Sequence, residues 1–357
     1  MGPDGDRIKA LTEVHQERLW DGLAAHQALL ALGEPEWARL SYESFRAYLV
    51  RWFYVEANWL LPPYAERTRP RAGGQLAYFQ NEVQVSTANL AVFDRKLELL
   101  PQEEPHRSRF LCAYFADLSA FRDYLEHHFL RLNHHVLPAL EAHLHETERD
   151  FISAQMEADL AELALPALTW TPERPPAAPI PKTLRPSEVP WWRPPPTDST
   201  ELQRWIRREA LESFFRFQVG LLYRDISYAQ QELRALREAL RWVFLANHTA
   251  WESGYDALRG FRNGRALLEG HERRIEEVLL ALIEQTTALL FCPDGRSWWR
   301  AWVALWDRAQ IAHYVLRFYL ERSWATLVEQ ASPEQVQAWY RIFRSQHPID
   351  RWLPHQG

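Results

Sequence analysis

The sequence predicts an all-α protein built as two helical bundles joined by a proline-rich linker. Three observations lead there. Apolar residues recur at three- and four-residue intervals through most of the chain, the period of a helix with one buried face. No convincing period-2 run occurs, and no Asn-Gly or Asp-Gly hairpin separates alternating runs. Of the 23 prolines, 11 crowd between Pro166 and Pro196. Proline has no N–H and a fixed φ, so such a run is neither helix nor central strand and acts as a stiff spacer. The expected plan is a first bundle over 1–165, the linker over 166–198 and a second bundle over 199–357. Trp170, Trp191 and Trp192 suggest that the linker packs along a domain surface.

Each element follows from its punctuation. Ile8, Leu11, His15, Leu19, Gly22, His26 and Leu29 lie on one face of a first helix. A second is expected from about Ser41 to Leu61, with Phe45, Leu49, Trp52, Glu56 and Leu60 on its stripe and Pro62-Pro63 as its stop. A third runs from about Leu76 to Leu100, ended by Pro101. A fourth starts after Pro105 and carries Leu118, Phe121, Leu125, His128 and Leu132, and its continuation after Pro138 is a separate helix reaching about Leu165. In the second half helices are expected at about 200–233, 235–258, 265–291, 296–329 and 333–346. The last opens on Ser332-Pro333-Glu334-Gln335, a cap followed by proline in the first turn.

Composition narrows the function classes. The 357 residues carry a net charge of −6 and a pI near 6.2, against the basic excess of a nucleic-acid binder. Cys112 and Cys292 stand 180 positions apart with no CxxC, which excludes a disulfide framework or a cysteine-zinc site. The start has no apolar signal core and no stretch is apolar enough to span a membrane, so a cytoplasmic protein is expected. Neither phosphate-binding glycine loops nor H-E-x-x-H, G-x-S-x-G or kinase motifs occur, so no nucleotide or organic cofactor is indicated.

The informative residues are ionisable ones on apolar faces. Glu56 lies squarely on the second helix's stripe, where an unpaired carboxylate is costly, so a cation, a histidine or a metal is expected to satisfy it. His15 and His26 face inward from the first helix and His128 from the fourth. The run from His127 to His145 holds six of the 14 histidines, with i, i+7 pairs but no i, i+4 pair. In the second half His248 and Glu252 are i and i+4, while His271 and His313 fall on stripes of two further helices. Inward side chains on facing helices are how bundles build metal centres, and imidazole with carboxylate suits iron.

This layout resembles a hemerythrin-like (HHE) domain, a four-helix bundle that holds a pair of irons. His15 stands for the first helix. W-F-Y-V-E-A-N-W-L-L-P matches the second through Glu56 and Leu-Leu-Pro62, although Trp52 takes the histidine's place. H-F-L-R-L-N-H-H-V-L-P matches the fourth through His128 and Pro138, although Asn133 replaces the carboxylate. The third helix has no histidine. The second half lies on the same plan through His248, Glu252, His271 and His313, as a degenerate duplication. The resemblance implies iron and oxygen, nitric oxide or redox chemistry, with the site in the second half. Trp52 is expected to fill the ligand space of the first, because an indole offers an N–H and no lone pair. Two alternatives stand beside it. One is a metal-free scaffold or interaction protein whose tryptophan-rich faces meet a protein partner or a second copy. The other is a non-heme di-iron oxidase, since Leu-Thr-Glu-Val-His15 and Phe45-Arg-Ala-Tyr-Leu49 resemble the heme-oxygenase-like group.

Overall fold

A computed structural model describes residues 7–69, 72–161, 175–184, 199–252 and 264–320, the side chains of 199–209, 238–239, 241–243 and 245–268 excepted. The described residues are helical with no strand. They divide into two compact units, residues 1–102 with 109–173, and residues 103–108 with 174–357. No described helix is long and apolar enough to cross a membrane.

In the first unit α1 spans Arg7–Leu32 and α2 Pro35–Val55. Gly33 sits between them at φ 84, a conformation that glycine adopts without penalty, and Glu34 N–H closes back onto the Leu29 carbonyl at 3.0 Å. Pro35 then opens α2, six residues before the start near Ser41 that periodicity predicts. Proline serves there because the first turn has no use for its missing N–H. Two antiparallel helices follow directly, with Leu19, Leu23, Phe45, Leu49 and Trp52 buried on them.

Pro62-Pro63 does not stop the second helix. Glu56–Leu60 form a π-helical turn in which the Leu61 N–H reaches the Glu56 carbonyl five residues back, and α3 continues over Leu61–Arg67. The same device recurs at Pro138, where α5 (His106–Arg131) passes through a π turn at Leu132–Val136 into α6 (Leu137–His143). In both, the widened turn restarts the ladder, so each proline falls in a first turn that needs no N–H from it. Between them α4 spans Leu76–Glu98, and α7 closes the unit over Glu146–Ala161. Asp159 on α7 ties down the end of α2, accepting from Arg51 Nη2 at 2.8 Å and Trp59 Nε1 at 2.6 Å.

In the second unit the helices are α8 (Ser199–Leu222), α9 (Ile226–Glu252), α10 (Gly264–Leu289) and α11 (Gly295–Phe318). The α8–α9 break falls at Tyr223–Asp225 rather than near residue 234. Arg224 takes φ 61 there, and the Asp225 carboxylate caps the next helix by accepting from Tyr228 N–H at 3.0 Å. Asp294 caps α11 in the same way, from Ser297 N–H at 2.9 Å. Within the proline-rich stretch, residues 175–184 lie along α8. Ile180 and Leu184 are buried on Val219, and Ala178 N–H donates to the Tyr223 carbonyl at 2.8 Å. Trp170, Trp191, Trp192 and the helix expected at 333–346 lie outside the described residues.

The tryptophans mostly point inward. Trp52 and four indoles of α11, Trp298, Trp299, Trp302 and Trp306, are each at most 1% exposed. The four on α11 meet at centroid distances of 5.0 to 6.4 Å, and Trp302 Nε1 donates to the Leu221 carbonyl at 3.0 Å. Among the described residues the tryptophan-rich face is therefore core, with Trp37 the exposed exception.

Candidate functional site

The first bundle's interior holds a chain of polar groups running through α2, α4 and α5. It starts at Trp52, whose Nε1–H donates to Glu56 Oε1 one turn along the same helix. The other oxygen, Glu56 Oε2, accepts from His128 Nε2 at 2.8 Å, and His128 Nδ1 donates to Glu82 Oε2 at 2.9 Å. Arg131, one turn past His128 on α5, brings its Nε to 2.8 Å from Glu82 Oε1. Trp52, Glu56 and His128 are wholly buried and Glu82 nearly so. Phe53, Phe79 and Phe129 pack edge-on against the His128 ring and keep water from it.

The chain's charges balance. Two carboxylates face one imidazole and one guanidinium, so a doubly protonated imidazole makes the set neutral. Burial pulls the His128 pKa down, but the Glu56 charge and the bonds to Glu56 and Glu82 outweigh it and raise the value to about 9. Burial pushes the Glu82 carboxyl up, and His128 with Arg131 more than offsets this, leaving it below the usual carboxylate range. His128 is thus an imidazolium at neutral pH, with both N–H groups spent on carboxylates.

His15 belongs to a separate arrangement. Its Nδ1 meets the Tyr48 hydroxyl, and the Arg18 charge lies near both. Burial and then the Arg18 charge lower the His15 pKa to about 4, so the ring is neutral. His26 is neutral for the same first reason, again at about 4, held between the Ala38 carbonyl at 2.8 Å and the Tyr114 hydroxyl at 2.9 Å. In the histidine-rich run only His128 is buried. His127, His134, His143 and His145 are exposed, and His135 lies against Gly73 and Gly74.

In the second unit the His313 ring stacks on Phe214 with centroids 5.4 Å apart, and His271 leans on Phe318 at 5.3 Å. His248 and Glu252 lie on α9, but their side chains fall outside the described residues, and so does the convergence expected of the four. A buried ion pair is described there instead. Arg216 Nε donates to Glu232 Oε2 at 3.0 Å, and its Nη2 to Ser213 Oγ at 2.9 Å.

The donors of the first unit do not fit a pair of irons. The two nitrogens of one imidazole diverge, so Glu56 and Glu82 sit on opposite sides of His128 and cannot share an ion. Trp52 directs an N–H at the one carboxylate on the Nε2 side. Among the described residues no group of three or more His, Cys, Asp or Glu is placed to hold a metal ion. Glu82 and Arg131 are the members of the chain that sequence reasoning missed. Glu82 did carry a signal, being the sole charged residue between Leu76 and Val92. No family model, curated protein or solved structure matches the chain.

Proposed function

We propose that this chain is a metal-free helical scaffold or interaction protein whose first bundle uses a hydrogen-bonded ion chain where a hemerythrin-like bundle would hold metal. The supporting observation is that both nitrogens of His128 and both oxygens of Glu56 already have protein partners. A metal competing for His128 must first displace its proton. With a pKa of about 9, that lowers apparent affinity about a hundredfold at pH 7.

One observation favours a second reading, in which a single ion takes the proton's place between His128 Nε2 and Glu56. Glu82 bonds the far nitrogen of His128, as outer carboxylates do for metal-ligating histidines. Metal analysis of the purified chain, followed by titration with Fe(II), Mn(II) and Zn(II) at pH 7 and pH 9, separates the two. The scaffold reading expects no stoichiometric retention and an unmoved unfolding midpoint. An ion bound stoichiometrically, more tightly at pH 9, and lost together in Glu56→Gln and His128→Gln, overturns it in favour of the second.

A further inference from the structure

His26 and Tyr114, buried in the first bundle, form a pair whose protons are fixed by their neighbours. His26 Nδ1 lies 2.8 Å from the Ala38 carbonyl, which can only accept, so that nitrogen carries a hydrogen. The ring is neutral and has one N–H, which leaves Nε2 as a bare lone pair. The Tyr114 hydroxyl, 2.9 Å away, donates to it. Both side chains are at most 1% exposed. Tyr42 packs on the imidazole, Phe93 and Phe115 pack on the phenol, and Phe110 stacks over the phenol with centroids 6.1 Å apart. A buried phenol therefore points its proton at a titratable base, with water kept out by aromatic rings. The other buried tyrosines of this bundle are placed differently. Tyr42 and Tyr64 donate to the Leu90 and Gly74 carbonyls, which do not take up a proton. Tyr48 meets His15, but the Arg18 charge near both resists a second positive charge there. The carboxylates of Asp94 and Asp117 act on Tyr114 instead, and they favour a positive charge beside it.

We infer that Tyr114 and His26 form a redox-active site, in which Tyr114 gives one electron to a high-potential one-electron oxidant and its proton to His26. The oxidant is an inorganic radical or a high-valent metal complex, and it is reduced by one electron. The O–H bond of Tyr114 breaks and an N–H bond forms at His26 Nε2. A neutral phenoxyl remains, hydrogen-bonded to an imidazolium. Both N–H groups of that imidazolium have acceptors, the phenoxyl oxygen and the Ala38 carbonyl, which offsets the cost of burying its charge. Burial makes His26 a weak base, with a pKa of about 4. It suffices, because an oxidised phenol is a far stronger acid than an imidazolium. The proton never leaves the bundle, so when an electron returns the proton moves back along the same bond and the phenol is restored. The site shares no residue with the ion chain around His128 and does not depend on how that chain is read.

Flash oxidation of the full chain with photogenerated tris(bipyridine)ruthenium(III) tests this, followed by the optical decay and by electron paramagnetic resonance of freeze-trapped samples. The wild-type chain is expected to give a persistent phenoxyl signal. That signal should carry one proton coupling that disappears in heavy water, the bond from His26 Nε2–H. Tyr114→Phe removes a single hydroxyl and should lose the signal, while Tyr42→Phe, next to it in the core, should keep it. His26→Gln removes the base and should shorten the phenoxyl lifetime at least tenfold. Circular dichroism checks that each variant is folded. The exchangeable coupling is read on the wild-type chain and decides the matter even where a variant does not fold. No phenoxyl signal, a signal without the exchangeable coupling, one that survives Tyr114→Phe, or a lifetime unchanged by His26→Gln overturns the proposal.

Discussion

His128 should make the stability of the first bundle depend on pH in a way that a single substitution removes. Its pKa rises from 6.5 in the unfolded chain to about 9 in the bundle. At about 1.4 kcal/mol per pKa unit, that is about 3 kcal/mol of stability contributed by the proton. Because the folded value is the higher one, the contribution is complete below pH 6.5, declines as pH rises and is gone above about pH 9. The perturbation is His128→Gln, which keeps a hydrogen-bonding side chain but carries no titrating charge. At pH 6.5 it leaves Glu56 and Glu82 buried without their shared cation, and it should cost about 3–5 kcal/mol. The assay is urea unfolding of both proteins at steps from pH 6.5 to 10, read by tryptophan fluorescence, and the quantity to follow is the difference between them. Tyrosine ionisation near pH 10 affects both and cancels. The difference should shrink by about 3 kcal/mol across the range, most steeply between pH 7 and 9. A difference that stays constant with pH would refute the charge balance on which the functional reading rests. On the acid side the sign reverses. The folded His26 pKa is depressed to about 4, so its contribution is complete above pH 6.5 and falls away as pH drops toward 4. His15 acts in the same direction. The first bundle should therefore be most stable near neutrality.

Two further predictions concern the second unit. A Cβ on Gly220 would lie 2.7 Å from the Ala229 nitrogen and 2.8 Å from its Cα, where the backbones of α8 and α9 approach closely. Gly220→Ala should therefore lower the unfolding free energy by about 1–3 kcal/mol through forced backbone movement, measured by denaturant midpoint, and an unchanged midpoint would show the crossing to be looser. Arg216 and Glu232 form a buried pair, so Glu232→Ala should cost about 3–5 kcal/mol by stranding the guanidinium, whereas Arg216→Met with Glu232→Leu should restore most of the loss; a double variant as unstable as the single one would contradict this.

Sequence alone determined the helical class and which faces turn inward. Those follow from a 3.6-residue period that needs no knowledge of neighbours. It also marked Glu56 and His128 as anomalies, because an ionisable group on an apolar stripe demands a partner wherever it ends up. What it could not decide was the partner. His128 is 72 positions from Glu56 and 46 from Glu82, and only the packing of α2, α4 and α5 brings the three together. The burial of Glu82 was undecided for the same reason, although its isolation as a charge was visible. A glutamate among glutamines and asparagines reads as a solvated face until a neighbouring helix covers it. Trp52 was legible as a residue in a ligand's position, while the aim of its N–H at Glu56 Oε1 came only from the fold. The prolines show the opposite limit. Each is a strong local stop signal, yet Pro62 and Pro138 lie within continuous helical runs, because a π turn ahead of each places the missing N–H where no carbonyl waits for it. Local rules state what each residue needs from its surroundings, and tertiary structure decides which distant group supplies it.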